Sequence, residues 1–150
     1  MIIKGVVVQG GADTFTISTL LTGLTVDGKS GWQINSFKAF WSNGYTAAAA
    51  DAIANAVLST IATVTLPNND AEIARVSWGV QNTAGVAVAL DFEPIKKADF
   101  TEPRVTVQSD LYIHANTSTT GLANVFYYEL SFDIVKLSDL EVLRLAVGGA

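Results

Sequence analysis

Val125-Phe-Tyr-Tyr-Glu-Leu-Ser-Phe-Asp-Ile-Val-Lys-Leu-Ser138 is the stretch that decides the fold class. It is dense in Phe126, Tyr127, Tyr128, Leu130, Phe132, Ile134 and Val135, aromatic and aliphatic side chains of the kind that pack on a pleated surface. The reading is one long strand over 123–137. Ser138 and Glu141 then stand three residues apart, the spacing at which a serine caps a helix and a glutamate reaches back to it. A short C-terminal helix over about 139–146 follows, with a strand end over 142–147 as the alternative.

Toward the N-terminus the chain continues as short strands between turn signals. Strands are expected at 110–115, 104–108, 85–92 and 72–81, the last with Ile73, Arg75 and Ser77 alternating against Ala74, Val76 and Trp78. Residues 93–103 hold two prolines and Lys96-Lys97 and read as a loop. From Trp32 to Trp41 another long strand is expected, with Trp32, Ile34 and Phe40 on one face and Phe37, Ala39 and Trp41 on the other. Asn43-Gly44 closes that strand, Asp27-Gly28 punctuates the stretch before it, and Gly10-Gly11 ends the run Ile2–Val8 ahead of a strand at 14–19. One segment changes period. Ala50, Ile53, Ala54, Val57, Leu58 and Ile61 fall at helical spacing, Thr46 could cap them, and Asp51, Asn55, Ser59 and Thr60 lie opposite. This predicts an amphipathic helix over about 46–62. The whole, 1–150, reads as a single all-β domain, an antiparallel β-sandwich of jelly-roll type with about eight strands, one inserted helix and a short C-terminal helix.

Composition adds a statement about surface. The 150 residues are 49% hydrophobic but only 15% charged, against about 25% charged in ordinary soluble domains. Mean hydropathy is +0.35. Such a chain has little charge with which to cover a monomer, which favours burial against copies of itself or a partner. Intrinsic disorder, which needs the opposite composition, is excluded. Fourteen acidic and nine basic residues give a net charge of −5. With no basic stripe or arm, strong direct nucleic-acid binding is not expected. The absence of cysteine removes disulfides, thiolate metal sites and thiol nucleophiles. Met1-Ile2-Ile3-Lys4-Gly5 carries no secretory pattern, and 52–69 is too broken by polar residues and Pro67 to span a membrane.

Asp110-Leu-Tyr-Ile-His114, the Ser/Thr/Gly loop 117–121 and Val125–Ser138 together resemble the closing hairpin of small jelly-roll viral coat proteins. In that family the last strand is long, aromatic-rich and close to the C-terminus. The resemblance covers about a fifth of the chain and implies a shell-forming subunit of a virion. Small coat proteins of RNA viruses often carry a basic N-terminal arm for the genome. This chain has none, so packaging would rest on other contacts or another component.

The candidates for chemistry are few. His114 is the sole histidine, so any Ser-His-Asp arrangement would have to use it, yet no nucleophile motif surrounds any serine. It reads as structural, and the chain as no enzyme, without cofactor or metal. Asp91-x-Glu93, Asp99 and Glu102 could offer oxygens to calcium but lack the spacing of a known loop, and read as solvated charge. Trp32, Trp41, Trp78, Tyr45, Tyr112, Tyr127 and Tyr128 could form a sugar-stacking platform, or fill a core or interface. Asn116-Thr117-Ser118 is a glycosylation sequon that reads as a polar turn. Two functions remain as expectations. The first is a self-assembling capsid or virion protein whose partners are its own copies; the alternative is a β-sandwich module that binds carbohydrate or another ligand.

Overall fold

A computed structural model describes residues 1–8, 16–21, 28–42, 52–61, 72–83, 86–89, 95–100, 106–108, 110–117 and 125–148. Among them are ten strands and one helix: β1 (Ile2–Val8), β2 (Thr16–Leu21), β3 (Ser30–Trp41), β4 (Ala52–Ser59), β5 (Glu72–Thr83), β6 (Val86–Ala89), β7 (Ile95–Asp99), β8 (Thr106–Val107), β9 (Leu111–Thr117), β10 (Val125–Lys136) and α1 (Asp139–Gly148). They form two antiparallel sheets, one ordered β1-β10-β3-β7 with β8 also on β3, the other β2-β9-β4-β5-β6.

The order has a simple logic. β1 pairs with β10, β2 with β9, β3 with β7 and β8, and β4 with β5. The first half of the chain thus lies along the second half as one long hairpin. Rolling that hairpin up brings β10 beside β3 and β9 beside β4, which is a jelly roll. β7 and β8 share one position because they pair with successive parts of β3, at Ser36–Phe40 and at Trp32–Gln33. β6 widens the second sheet by a hairpin with β5.

The core lies between the sheets and mixes large side chains with small ones. The first sheet contributes Val7, Trp32, Ile34, Phe37, Ala39, Trp41, Phe126, Leu130 and Phe132. The second answers with Ala54, Ala56, Leu58, Ala74, Val76, Trp78, Leu111, Ile113 and Ala115. The second sheet's alanines share this buried cluster with the first sheet's indole and phenyl rings, and mixing small with large side chains lets two layers close to the density of an organic crystal. Trp41 stacks on Phe126 with centroids 6.2 Å apart and an 8° tilt, and Trp78 lies 6.4 Å from Trp41 and 6.1 Å from Phe126. Trp32 meets Phe132 edge to face at 5.0 Å.

Three sequence expectations are corrected here. Residues 52–59 form strand β4, not part of a helix over 46–62; residues 46–51 and 62 lie outside the described residues. The cause is double burial. Ala54, Ala56 and Leu58 point into the core while Asn55, Val57 and Ser59 are buried on the opposite face. A strand covered on both sides shows no clean alternation, and its polar Asn55 and Ser59, four apart, imitate one side of a helix. The second correction concerns 93–103, read as a loop, which contains strand β7 at the edge of the first sheet. Lysines suit an exposed edge, where charge discourages pairing with a foreign strand. The third is the phase of β3. Ser131 pairs with Ser36 but Phe132 pairs with Ile34, so Asn35 is an extra residue in a bulge. Inward positions are therefore 32 and 34 before it and 37, 39 and 41 after it, and Phe40 turns outward.

The C-terminal helix appears as read. Ser138 N–H donates to Glu141 Oε2 at 2.7 Å, and Glu141 N–H donates back to Ser138 Oγ at 3.3 Å. The Ser138 backbone N–H foremost, and then the Ser138 hydroxyl, which donates to the same Oε2 at 2.7 Å, hold the Glu141 carboxyl below its ordinary range. Gly28, in the expected Asp27-Gly28 turn, has φ +67°, a conformation that glycine adopts without strain.

Candidate functional site

Two surfaces gather chemistry, one on the outer face of each sheet. On the second sheet, register aligns Ser77, Asn55 and Asn116 in one row and Arg75, Val57 and His114 in the next. Ser77 Oγ donates to Asn55 Oδ1 at 2.7 Å, and Asn55 Nδ2 donates to Asn116 Oδ1 at 3.4 Å. Arg75 grips Glu72 through two nitrogens, the shorter contact being 2.7 Å. Asn55, Ser59, His114, Asn116 and Thr117 are all buried. Buried polar side chains of this kind are tolerated where hydrogen bonds satisfy them, as they do for the Asn55 amide between Ser77 and Asn116.

His114 Nε2 lies 3.0 Å from the Ile61 carbonyl oxygen and 3.5 Å from Ser59 Oγ. A carbonyl can only accept, which assigns the proton to Nε2. Ser59 Oγ in turn donates to that same carbonyl at 2.9 Å and accepts from Ile61 N–H at 3.0 Å. The pair therefore clamps the chain where it leaves β4. A protonated Nε2 cannot take the serine proton, so this is not the geometry of a base beside its nucleophile. Asn116 of the sequon is buried against Asn55 and serves the same network; Ser118 lies outside the described residues.

Burial lowers the His114 pKa from its ordinary 6.5, partly opposed by the hydrogen bond to Ile61. The folded chain thus resists a proton that the unfolded chain accepts. Stability should rise with pH up to about 6.5 and fall as pH drops below it. Glu129 and Glu141, whose pKa values lie below the ordinary 4.5, lose their contributions only at lower pH. Urea midpoints measured between pH 7.5 and 5.5 should therefore decline in the wild type. His114→Gln keeps an amide donor for Ile61 and should flatten that slope.

The outer face of the first sheet is different. Val6, Tyr127, Phe40 and Ile95 pair in succession across β1, β10, β3 and β7 and make one apolar row. The next row, two residues along each strand, is Lys4, Glu129, Lys38 and Lys97. Phe40 and Tyr127 stack with centroids 6.2 Å apart, and Tyr127 is 51% exposed. Lys4 Nζ is 3.0 Å from Glu129 Oε2, and Lys97 Nζ is 2.6 Å from Asp99 Oδ1. The hydrogen bond from Lys4 chiefly, with Lys38 and Lys97 behind it, holds the Glu129 carboxyl below its usual range. An open groove of about 220 Å³ runs between the rows. Gly5 belongs to its wall because the Tyr128 ring occupies the space a β-carbon would need.

The aromatic candidates separate cleanly. Trp32, Trp41 and Trp78 are core residues; Tyr127 is exposed, Tyr112 and Tyr128 are half-buried, and Tyr45 lies outside the described residues. No line of exposed tryptophans exists among the described residues. Of the acidic candidates, Asp99 pairs with Lys97, and Asp91, Glu93 and Glu102 lie outside the described residues. Among the described residues no group of three or more His, Asp or Glu side chains could hold a metal, and no helix is long and apolar enough to cross a membrane. Sequence reading missed the apolar and lysine rows, since their members come from four separate segments joined only by register.

No protein-family model matches this chain, and no curated protein matches it either.

Proposed function

We propose that this chain is a self-assembling structural protein, a coat subunit that builds a virion shell through contacts between its own copies. One observation carries the reading: large apolar side chains remain outside the core at two separate places. Val6, Tyr127 and Ile95 stand exposed on the first sheet, and Leu140, Leu143 and Val147 on α1. Contiguous apolar surface of this kind marks an interaction site. The jelly roll alone is no argument, because lectin domains and other binding proteins share it with capsid proteins. The alternative, a carbohydrate-binding module, is weakened by the burial of all three tryptophans. Lysines that already meet Glu129 and Asp99 offer little to a phosphate backbone, so this reading gives genome contact to another component. Light scattering coupled to size exclusion tests the proposal. A defined mass many times 15.8 kDa is expected, and a 15.8 kDa monomer that persists at high concentration overturns it.

A further inference from the structure

α1 is apolar on more than one side. Val142 and Leu145 are half-buried, and the helix is tied to its own domain by the 3.0 Å pair of Lys29 with Asp139. Leu140, Leu143 and Val147, spaced i, i+3 and i+7, face away and are 57%, 60% and 82% exposed. A helix with apolar side chains on two opposite faces needs a cover for both. Its outward stripe lacks a cover within the described residues.

We infer that this stripe docks on the Val6–Tyr127–Phe40–Ile95 row of a second copy, across its β1, β10, β3 and β7. The inference rests on the self-assembly reading and names the contact that would produce it. Dimensions agree. Leu140 to Val147 covers about 10 Å at a rise of ~1.5 Å per residue. Four strands at a spacing of ~4.8 Å make a row about 14 Å long.

The charges agree in sign and in register. Glu141 and Arg144 lie on one flank of the stripe, three residues and thus about 4.5 Å apart along the axis. The row beside the aromatic one presents Glu129 next to Lys4, one strand spacing apart. A helix laid along the apolar row from β1 toward β3 sets Glu141 over Lys4 and Arg144 over Glu129, so that each charge of the Lys4–Glu129 pair meets its opposite. The lysine row lies about 7 Å from the apolar one, two strand residues away, within reach of side chains on a helix ~10 Å across.

Helix and row are different patches of one molecule, so the contact is head-to-tail. Repeated, it closes into a ring or continues as an open array.

Two variants test this, Leu143→Asp on the helix and Tyr127→Asp on the row. Each alone should lose the assembled form of the wild type. Mixed in equal amounts, they should give a complex of twice the 15.8 kDa chain mass and nothing larger, because one variant supplies the intact row and the other the intact helix. A Leu143→Asp protein of wild-type mass overturns the proposal while leaving self-assembly standing. So does a mixture that stays monomeric. A wild type that is itself monomeric overturns the self-assembly reading, and this contact with it. Folding is controlled by a milder pair. The chain has no cysteine, so Leu143→Cys mixed with Tyr127→Cys should form the mixed disulfide on oxidation. Its absence in wild-type-like assemblies also overturns the contact.

Discussion

Trp41→Ala is expected to destabilise the fold by about 3–5 kcal/mol, the usual cost of emptying a large aromatic site in a core. Trp41 is the ring through which β3 of one sheet reaches Phe126 and Trp78. Ala54, Ala56 and Ala115 belong to the same buried cluster and have no length with which to swing into a hole. The cavity would therefore persist, and part of the cost is the cavity itself. A domain of this size has a stability of about 5–15 kcal/mol, so the variant should lie near the edge of folding. Urea unfolding should show a large drop in midpoint at an unchanged slope, with Trp41→Phe losing much less. A loss below about 1 kcal/mol would mean that the sheets do not pack through this cluster.

Two single-residue deletions three positions apart in β3, at Asn35 and at Lys38, should have opposite outcomes. Asn35 is the extra residue of the bulge, and without it positions 32, 34, 37, 39 and 41 alternate without interruption. Its removal sacrifices the Phe100 N–H bond to the Asn35 carbonyl and the Asn35 bond to Asp133, both 3.0 Å, but keeps every inward ring inward. The protein should fold, with a melting temperature lowered by a few degrees. Deleting Lys38 instead shifts the phase of everything on one side of it. Ala39 and Trp41 would turn outward and Phe40 inward, against pairings with β10 that fix the register. That variant should not fold. Circular dichroism and thermal melts distinguish the two, and equal tolerance of both deletions would refute the bulge as the phase-setting element.

The same bulge explains why β3 was only half legible. Its existence and length follow from composition, since Trp32, Ile34, Phe37 and Trp41 are strand formers in any arrangement. Its inner and outer faces do not, because a bulge changes parity without a mark in the residue types. β4 was misread for a related reason. A period is visible only when one face meets water, and both faces of Asn55–Ser59 are buried.

By itself the sequence determined what local chemistry controls. The strand density, the long aromatic strand β10, the Ser138–Glu141 cap of α1 and the turn at Gly28 are decided within a few residues of each position. It also determined the shortage of charge along the chain. Which side chains share a surface was decided only by the tertiary structure. Lys4, Lys38, Lys97 and Glu129 stand in one row, and Val6, Tyr127, Phe40 and Ile95 in the next, because antiparallel register joins residues from four segments of the chain. Register is set by how both sheets bury their inner faces at once, a condition on the whole domain that no local window contains.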